Sequence, residues 1–364
     1  MNTFSIKTVV VGSFLKIIAT IFVVTIICTY VQNRFSALKI RFNQKQTRGE
    51  IIIKPLNNEI IQQHDGSAEI TLLIKEEAVC TLDGRLVGQR ERTVARIGKH
   101  LLRCTHETTL ESIDFYVGDV FIVMGQSNSI GASKNISLSP VPVSETIWFD
   151  PYKRLFRAPG IDEENISRGI EIGGNMWISF MNKYKTLTSY PVGVVNLTRV
   201  ATIDRYLQGE LNPTAGDYYY NFIIDEIQKY DKPSGIILFH GESATKTLFE
   251  AQSYPGQLRK LIESVRNNLR YDLNFFIINI GRNITLDVPK EELDNWNVVR
   301  KGIYEVTSSV SGVYLVGDAA SYSLNCEEIS GDSDCLHLGQ KGLNSLGEST
   351  AKNIFHIVYE TKTE

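Results

Sequence analysis

The sequence lacks several features that would place it in a special class of protein. Its net charge is only −3 over 364 residues, which gives no case for nucleic acid as a main partner. It also contains no low-complexity tract and no internal repeat. With 43% hydrophobic and 22% charged residues, the composition is that of a globular protein. The length suggests two domains with additional segments.

A cleavage site is also missing from the amino terminus. Residues 12–31 are apolar apart from Lys16 and a few small polar residues, and they are long enough to span a bilayer. No small-x-small site follows, so we expect a retained anchor rather than a cleaved signal peptide. The sequence therefore predicts a tail over 1–11, a transmembrane anchor over 12–31 and a polar stalk over 32–45.

Cysteine is scarce, and the positions of the few cysteines help to predict on which side of the membrane the folded body lies. Beyond Cys28 there are four, in two sequence-local pairs. Such pairs favour the disulfides Cys80–Cys104 and Cys326–Cys335 in an oxidising compartment, the alternative being four unrelated thiols. The basic residues after the span point the other way, since the positive-inside rule alone would leave the body in the cytoplasm. We expect an extracytoplasmic body, whether periplasmic, luminal or at the cell surface.

Residues 46–118 have the pattern of a β domain. Short β-branched runs are separated by turn signals at Asn57-Asn58, Asp65-Gly66 and Asp83-Gly84. This pattern predicts a small antiparallel domain of sandwich type. The segment shows no chemistry of its own.

From 119 to 364 the pattern becomes strand and helix in alternation. The candidate strands are residues 120–124, 192–197, 235–239, 275–280 and 313–316. Apolar residues at helical spacing lie between them, as at Leu258, Leu261 and Ile262. This alternation predicts an α/β fold in three layers, a parallel sheet with helices on both faces. Five strands suit a flavodoxin-like order.

The first of these strands ends in Gly125-Gln126-Ser127-Asn128. Glycine beside serine and asparagine predicts a tight turn at the carboxyl end of a buried strand. Open α/β sheets build their sites at that end, and a serine there can be a nucleophile. The alternative is an ordinary strand–loop junction with polar turn residues.

A serine nucleophile needs a base, and the chain has six histidines. Three lie in the β region, and His356 lies inside the terminal helix, where a structural role is expected. His240 and His337 remain. His337 precedes the terminal helix and follows Asp334 by three residues, an offset at which the aspartate can hold the ring with Nε2 toward the serine. The pair alone could equally belong to a polar loop.

A third polar patch, His240-Gly241-Glu242, ends another strand at the same sheet edge. Glycine there lets backbone approach the site closely. The Glu242 carboxylate could orient the serine loop, or it could compete with Asp334 for the histidine.

Together these patches resemble the SGNH hydrolase superfamily, in its sialate O-acetylesterase-like and acetylxylan-esterase-like branch. The branch reads Gly-Asp-Val-Trp and Gly-Gln-Ser-Asn-Met where this chain has residues 118–121 and 125–129. Its Gln-Gly-Glu motif corresponds to 240–242, and its Asp-x-x-His motif to 334–337. The resemblance covers about 48 to 355, and it includes an amino-terminal β domain that runs into the first motif.

The resemblance implies an SGNH hydrolase domain over 119–364, with Ser127 as nucleophile, His337 as general base and then acid, and Asp334 as the residue that orients the histidine. It implies two-step hydrolysis of an O-acetylated carbohydrate through an acyl-enzyme, without a metal or cofactor. The oxyanion and binding positions that it implies are Gln126, Asn128, Arg199, Val200, Ala201, His240, Gly241 and Glu242.

Two departures from the family touch the expected oxyanion hole. The family has a Gly-Gly-Thr or Gly-Gly-Ser run where this chain has Arg199-Val200-Ala201-Thr202, and glutamine where it has His240. Non-glycine residues do not reach all the backbone angles open to glycine. Three hypotheses therefore stand: a carbohydrate O-acetylesterase, an O-acyltransferase on the same site, or a non-catalytic glycan-binding relative.

Arg199 also bears on specificity. An arginine pairs well with carboxylates, so this residue predicts a preference for an acidic acetylated sugar such as sialic acid. The alternative is a helix cap or an ion pair with a nearby acid such as Asp204.

Overall fold

The computed structural model describes residues 51–131, 133, 138–150, 155–157, 174–198, 217–284, 288–328 and 335–360. Among these residues no helix is both long and apolar enough to cross a membrane. The predicted tail, anchor and stalk lie outside them, so the anchor stays a prediction.

The amino-terminal region is built from short strands around a core of its own. The strands are β1 (Ile52–Lys54), β2 (Ile60–Gln62), β3 (Ser67–Thr71), β4 (Leu73–Ile74), β5 (Val79–Leu82), β6 (Arg85–Val87), β7 (Arg92–Arg96), β8 (Gly98–His106) and β9 (Thr109–Gly125). β1 pairs with β4, β3 with β7, and β6, β5, β8 and β9 follow one another, all antiparallel. β2 instead pairs with β9 in parallel, so the prediction of a purely antiparallel region is wrong at this strand. Side chains from all three groups, among them Ile74, Ile70 and Phe115, share one hydrophobic core.

The predicted turn at Asp83-Gly84 connects β5 to β6. Both residues have positive φ, 50° and 85°. A two-residue turn with this backbone matches the right-handed twist of the strands that it joins.

The rest of the described chain alternates strands with helices. The elements are α1 (Ser127–Ile130), β10 (Thr146–Asp150), β11 (Leu155–Arg157), α2 (Trp177–Thr188), β12 (Val192–Asn196), α3 (Asp217–Gln228), β13 (Gly235–Phe239), α4 (Leu248–Leu269), β14 (Phe275–Asn279), α5 (Lys290–Ser309), β15 (Val313–Asp318), α6 (Asn325–Glu328) and α7 (Gln340–Phe355). Short 3₁₀ turns lie at Glu242–Thr245 and Ala319–Ser321, and a π-helical turn lies at His356–Glu360.

The α/β sheet has the strand order β11-β10-β12-β9-β13-β14-β15. The five predicted strands correspond to β9, β12, β13, β14 and β15, and their arrangement is the flavodoxin-like one. The expectation of a purely parallel sheet is wrong at one edge, because β11 runs antiparallel to β10. So few residues separate these two strands that a parallel crossover, which needs a dozen or more, cannot form. The sheet is therefore mixed.

Helices cover both faces of the sheet, as predicted. On β9, Val120, Ile122 and Met124 pack toward α3, α4 and α5, whereas Phe121 and Val123 pack toward α2 and α7. Successive side chains of a strand point to opposite faces, so a strand covered on both sides must be apolar throughout. This explains the unbroken apolar run in front of the serine.

Strand β9 is continuous across the predicted domain boundary at 118/119. Its first part pairs with β8, and its second part lies between β12 and β13 in the α/β sheet. The central strand of the α/β sheet is thus the continuation of a strand of the β region. The domain bounds themselves stay a prediction.

Both predicted cysteine pairings are confirmed. Cys80 and Cys104 lie directly opposite each other on β5 and β8, with their Cα atoms 4.1 Å apart. Cys326 on α6 is bonded to Cys335, with a Cα separation of 5.0 Å. Disulfides persist in oxidising environments, so they indicate that the folded body is extracytoplasmic.

Candidate active site

Ser127 lies at the carboxyl end of the central strand. It is the first residue of α1, directly after β9 and Gln126. The turn requires glycine at position 125, where φ is 153° and a Cβ would lie 2.2 Å from the Phe239 carbonyl oxygen. The Gln126 N–H donates to that same carbonyl at 3.2 Å. The serine is therefore held against the end of β13, and its side chain is only partly buried.

His337 is the histidine that reaches the serine. Its Nε2 lies 2.9 Å from Ser127 Oγ. Two backbone bonds hold this segment: the His337 carbonyl accepts from Asn325 N at 2.9 Å, and two residues later Gly339 N donates to Ser323 O at 3.0 Å. This geometry brings a hydroxyl and an imidazole from distant parts of the chain within reach for proton transfer.

Several predicted site residues lie outside the described residues. They are Asp334, which was expected to orient His337, and Arg199, Val200 and Ala201 of the second motif. Their roles stay predictions. The nearest described residue to that motif is Thr198, whose hydroxyl lies 3.4 Å from that of Ser129 on α1.

Glu242 and Asn128 form the second polar contact of the site. Asn128 Nδ2 donates to Glu242 Oε1 at 3.0 Å. Burial raises the pKa of the Glu242 carboxyl because it penalises the ionised form, while the bond from Asn128 and the nearby His337 act in the opposite direction. Glu242 Oε2 is buried and has no hydrogen-bond partner among the described residues.

Gln126 connects the serine turn to the turn after β13. Its Oε1 accepts from the backbone N–H groups of Gly241 and Ser243 at 3.4 and 3.3 Å, and its Nε2 donates to Ser243 Oγ at 2.6 Å. The side chain is 4% exposed. In this arrangement the carboxamide of Gln126 holds the two turns together.

His240 is 1% exposed and packs against Tyr254 of α4. The two rings are stacked, with centroids 5.9 Å apart. Tyr254 donates its hydroxyl hydrogen to the His240 carbonyl at 2.7 Å, and its oxygen lies 3.2 Å from His240 Nδ1. Because the hydroxyl hydrogen is already used, the ring nitrogen must be the donor in the second bond.

Sequence reasoning missed some residues that shape the site. Trp177 of α2 donates its Nε1–H to the Ser129 carbonyl at 2.7 Å and so holds α1 against α2. Ser243 and Tyr254 contact Gln126 and His240 as described above. Ser243 adjoins a motif and could have been considered, but no local pattern marks Trp177 or Tyr254 as neighbours of the site.

The flavodoxin-like α/β sheet with a serine–histidine pair at its carboxyl edge has the architecture of the SGNH hydrolases. Residues 117–356 match the family model described as carbohydrate esterase, sialic acid-specific acetylesterase. The match covers more than half of the chain, so the chain belongs to this family, as its motifs indicated. It is therefore a hydrolase of carboxylic esters.

Solved structures share the fold. A carbohydrate acetylesterase from Xanthomonas citri aligns with a TM-score of 0.57 and 16% identity, covering 83% of this chain and 74% of that one. A protein from Arabidopsis thaliana aligns with a TM-score of 0.53 and 19% identity, covering 66% of this chain and 99% of that one. No curated protein sequence matches the chain.

Proposed function

We propose that this protein removes O-acetyl groups from carbohydrate in two steps, with Ser127 as the nucleophile. The observation that carries the proposal is the 2.9 Å contact between Ser127 Oγ and His337 Nε2 inside the segment that matches the esterase family. The half-exposed serine is open to substrate, and the histidine is positioned to accept its proton.

In the first step, Ser127 Oγ attacks the acetyl carbonyl carbon while His337 Nε2 takes the hydroxyl proton. The tetrahedral oxyanion would be held by the Ser127 N–H and by donors from the other motifs. Its collapse breaks the ester bond, and the imidazolium returns the proton to the departing sugar oxygen. In the second step, water gives one proton to His337 and attacks the acetyl carbonyl carbon of the acyl-enzyme. The bond to Ser127 Oγ then breaks, acetate leaves, and the imidazolium returns the proton to Ser127 Oγ.

Asp334 is the proposed partner of the His337 imidazole on the side away from Ser127. An aspartate in this role holds the ring tautomer and stabilises the imidazolium that forms during each step. Support comes from the family's Asp-x-x-His motif and from the Cys326–Cys335 disulfide, which anchors the residue next to Asp334.

The decisive experiment is Ser127→Ala, assayed with p-nitrophenyl acetate and with an O-acetylated sugar. We expect kcat to fall by at least about a thousandfold, because the acyl-enzyme cannot form. Ser253→Ala, on α4 outside the site, is the control for removing a hydroxyl. If Ser127→Ala retained activity within a few-fold of the parent protein, the proposed nucleophile would be wrong.

Transfer of acetyl to a second sugar could use the same serine and histidine. The two reactions differ only in whether water or a sugar hydroxyl attacks the acetyl-enzyme. Measuring free acetate with and without an acceptor sugar separates them. Acetate release that is unaffected by the acceptor would establish hydrolysis.

For the substrate, we propose an acidic acetylated sugar such as sialic acid, recognised through Arg199. A guanidinium pairs with a carboxylate through two parallel hydrogen bonds. We expect turnover of O-acetylated sialic acid to exceed that of its methyl ester and of a neutral acetylated sugar by ~10-fold or more, since a charged hydrogen bond contributes about 1.5–3 kcal/mol. Arg199→Ala should remove the preference. Equal turnover of all three substrates would contradict the idea.

We further propose that residues 12–31 anchor the protein in a membrane and that 32–45 form a stalk. The support is the apolar sequence of the first segment and the polar sequence of the second. Fractionation of the full-length chain tests this: it should remain with membranes after an alkaline carbonate wash, whereas a chain that begins at residue 46 should be released.

A further inference from the structure

Asn128, the residue after the nucleophile, is hydrogen-bonded to two other loops of the site. Its Oδ1 accepts from the backbone N–H of Leu338 at 2.9 Å, and its Nδ2 donates to Glu242 Oε1 at 3.0 Å. The side chain is 3% exposed. Because Ser127 precedes Asn128 and His337 precedes Leu338, the first bond joins the backbone segments that carry the two reacting groups.

The two bonds require a carboxamide. Leu338 N–H needs an acceptor, whereas the Glu242 carboxylate needs a donor, and the short carboxamide of Asn128 offers one of each. An aspartate at position 128 would oppose its carboxylate to that of Glu242, and a leucine would leave both partners unsatisfied. Unmade hydrogen bonds at a buried site are costly, so the structure is sensitive to this one side chain.

Glu242 is itself held in a fixed position. It begins the turn after β13, and Gln126 binds the backbone of that turn at Gly241 and Ser243. Since Glu242 Oε2 has no hydrogen-bond partner among the described residues, Asn128 is the side-chain donor that fixes this carboxylate there. The two bonds of Asn128 therefore connect the ends of β9 and β13 to the segment that carries His337 and Leu338.

We propose that Asn128, braced by Glu242, is a positioning residue that sets the distance between Ser127 Oγ and His337 Nε2. The inference rests on the proposed roles of Ser127 and His337. Proton transfer from serine to histidine depends steeply on their separation, so a displacement of about 1 Å lowers the rate by on the order of 100-fold. The role differs from that of an oxyanion donor, for which Nδ2 would have to bind the reacting oxygen instead.

A donor–acceptor exchange distinguishes these roles. Asn128→Asp places two carboxylates face to face, whereas the double variant Asn128→Asp, Glu242→Gln reverses the bond and keeps the total charge. In the double variant, the aspartate can still accept from Leu338 N–H, but it cannot donate to an oxyanion. Asn182→Asp is the matched control, because Asn182 makes a similar pair of bonds, with Val143 N and Val141 O, at the surface.

The experiment measures kcat and KM for p-nitrophenyl acetate and, separately, the rate at which diisopropyl fluorophosphate labels Ser127. We expect Asn128→Asp to lower kcat and the labelling rate at least tenfold with little change in KM. The double variant should recover both to within about threefold of the parent, and Asn182→Asp should leave them unchanged.

Two results would overturn the inference: a double variant as slow as Asn128→Asp, which would identify Nδ2 as an oxyanion donor, or an Asn128→Asp variant as fast as the parent. Failure of the proposed function looks different, because the parent protein itself would then neither hydrolyse the ester nor be labelled at Ser127.

Discussion

At the scale of single residues, the proposed site combines a serine–histidine pair with a nearby carboxylate, that of Glu242. Ser127 and His337 are each half-buried, which agrees with the proposal that they meet the substrate. Glu242 is half-buried as well, with its Oε2 atom enclosed, and its Oε1 accepts from Asn128. An enclosed carboxylate with only one side-chain partner among the described residues lowers the stability of the fold when it is ionised. We therefore expect Glu242 to lower stability while it serves the proposed function by holding Asn128.

Glu242→Gln tests this cost. Burial raises the pKa of Glu242 above its ordinary value of 4.5, so the stability that the protonated group contributes is present below that value and is lost as the pH rises through the pKa of the folded state. A neutral amide avoids the loss. We expect the variant to melt at a higher temperature than the parent at pH 7, and the difference to shrink or vanish at pH 4.

The control for this comparison is Glu263→Gln, which removes an exposed carboxylate from α4. Thermal unfolding at the two pH values provides the measurement. A Glu242→Gln difference of the same size at both pH values would show that ionisation of this residue is not the cause.

At the scale of elements, the geometry of the site depends on where the strands end and on the bonds that hold the loops after them in place. Ser127 follows β9, Glu242 follows β13, and His337 follows α6 and a disulfide. Carboxyl ends of parallel strands meet at one edge of a sheet, which explains why residues far apart in sequence converge there. Arg300 on α5 adds a brace at the same edge, binding both carboxylate oxygens of Asp318 at the end of β15 at 2.9 Å.

The two disulfides are expected to have separable effects. Replacing Cys326 and Cys335 by serine should lower kcat several-fold, because the bridge anchors the chain two residues before His337. Replacing Cys80 and Cys104, which join β5 to β8, should instead lower stability by about 3 kcal/mol with kcat unchanged, as estimated for a closed loop of this length. Each double variant is the control for the other in assays of kcat and thermal unfolding. Equal effects on kcat would show that the Cys326–Cys335 bridge has no special relation to the site.

At the scale of the whole molecule, a buried carboxylate connects distant parts of the chain. Asp119, 1% exposed, accepts from Tyr184 of α2 at 3.0 Å and from Tyr359 of the π-helical turn at 2.5 Å. It also accepts from Gln63 after β2 at 3.0 Å and from Ser234 before β13 at 3.3 Å. These bonds lie at the start of the parallel part of β9, away from the catalytic edge, so the cluster is expected to act on stability alone.

Tyr359→Phe should destabilise the protein by about 1.5–3 kcal/mol, the usual contribution of a hydrogen bond to a charged group, without changing kcat. Tyr304→Phe is the matched control, because its hydroxyl binds Asp318 at the surface, where a smaller loss of stability is expected.

Burial and the Asp119 charge raise the pKa of Tyr184 and Tyr359 above the ordinary value of 10. The stability of the parent should therefore hold below pH 10 and fall above it, and unfolding measured against pH would show whether it does.

Much of this molecule was determined by the sequence alone. Each of the five predicted strands is a short apolar run, and its position between helices implies the parallel pairing and the order that these five strands have in the sheet. Gly125-Gln126-Ser127 marks the site because a glycine turn at the end of such a run can be read without knowing any partner. The disulfides could be paired because each cysteine has one near neighbour in sequence.

Tertiary structure decided the rest. The antiparallel edge strand β11, the stack of Tyr254 on His240 and the four donors around Asp119 each depend on contacts between residues with no shared local pattern. The same holds for Asn128: its motif predicted a site residue, but the bond to Leu338, 210 positions away, exists only once β9 and the histidine loop lie side by side. Local patterns specify elements because backbone geometry is periodic, whereas the partner of a polar side chain is set by the folded arrangement of the whole chain.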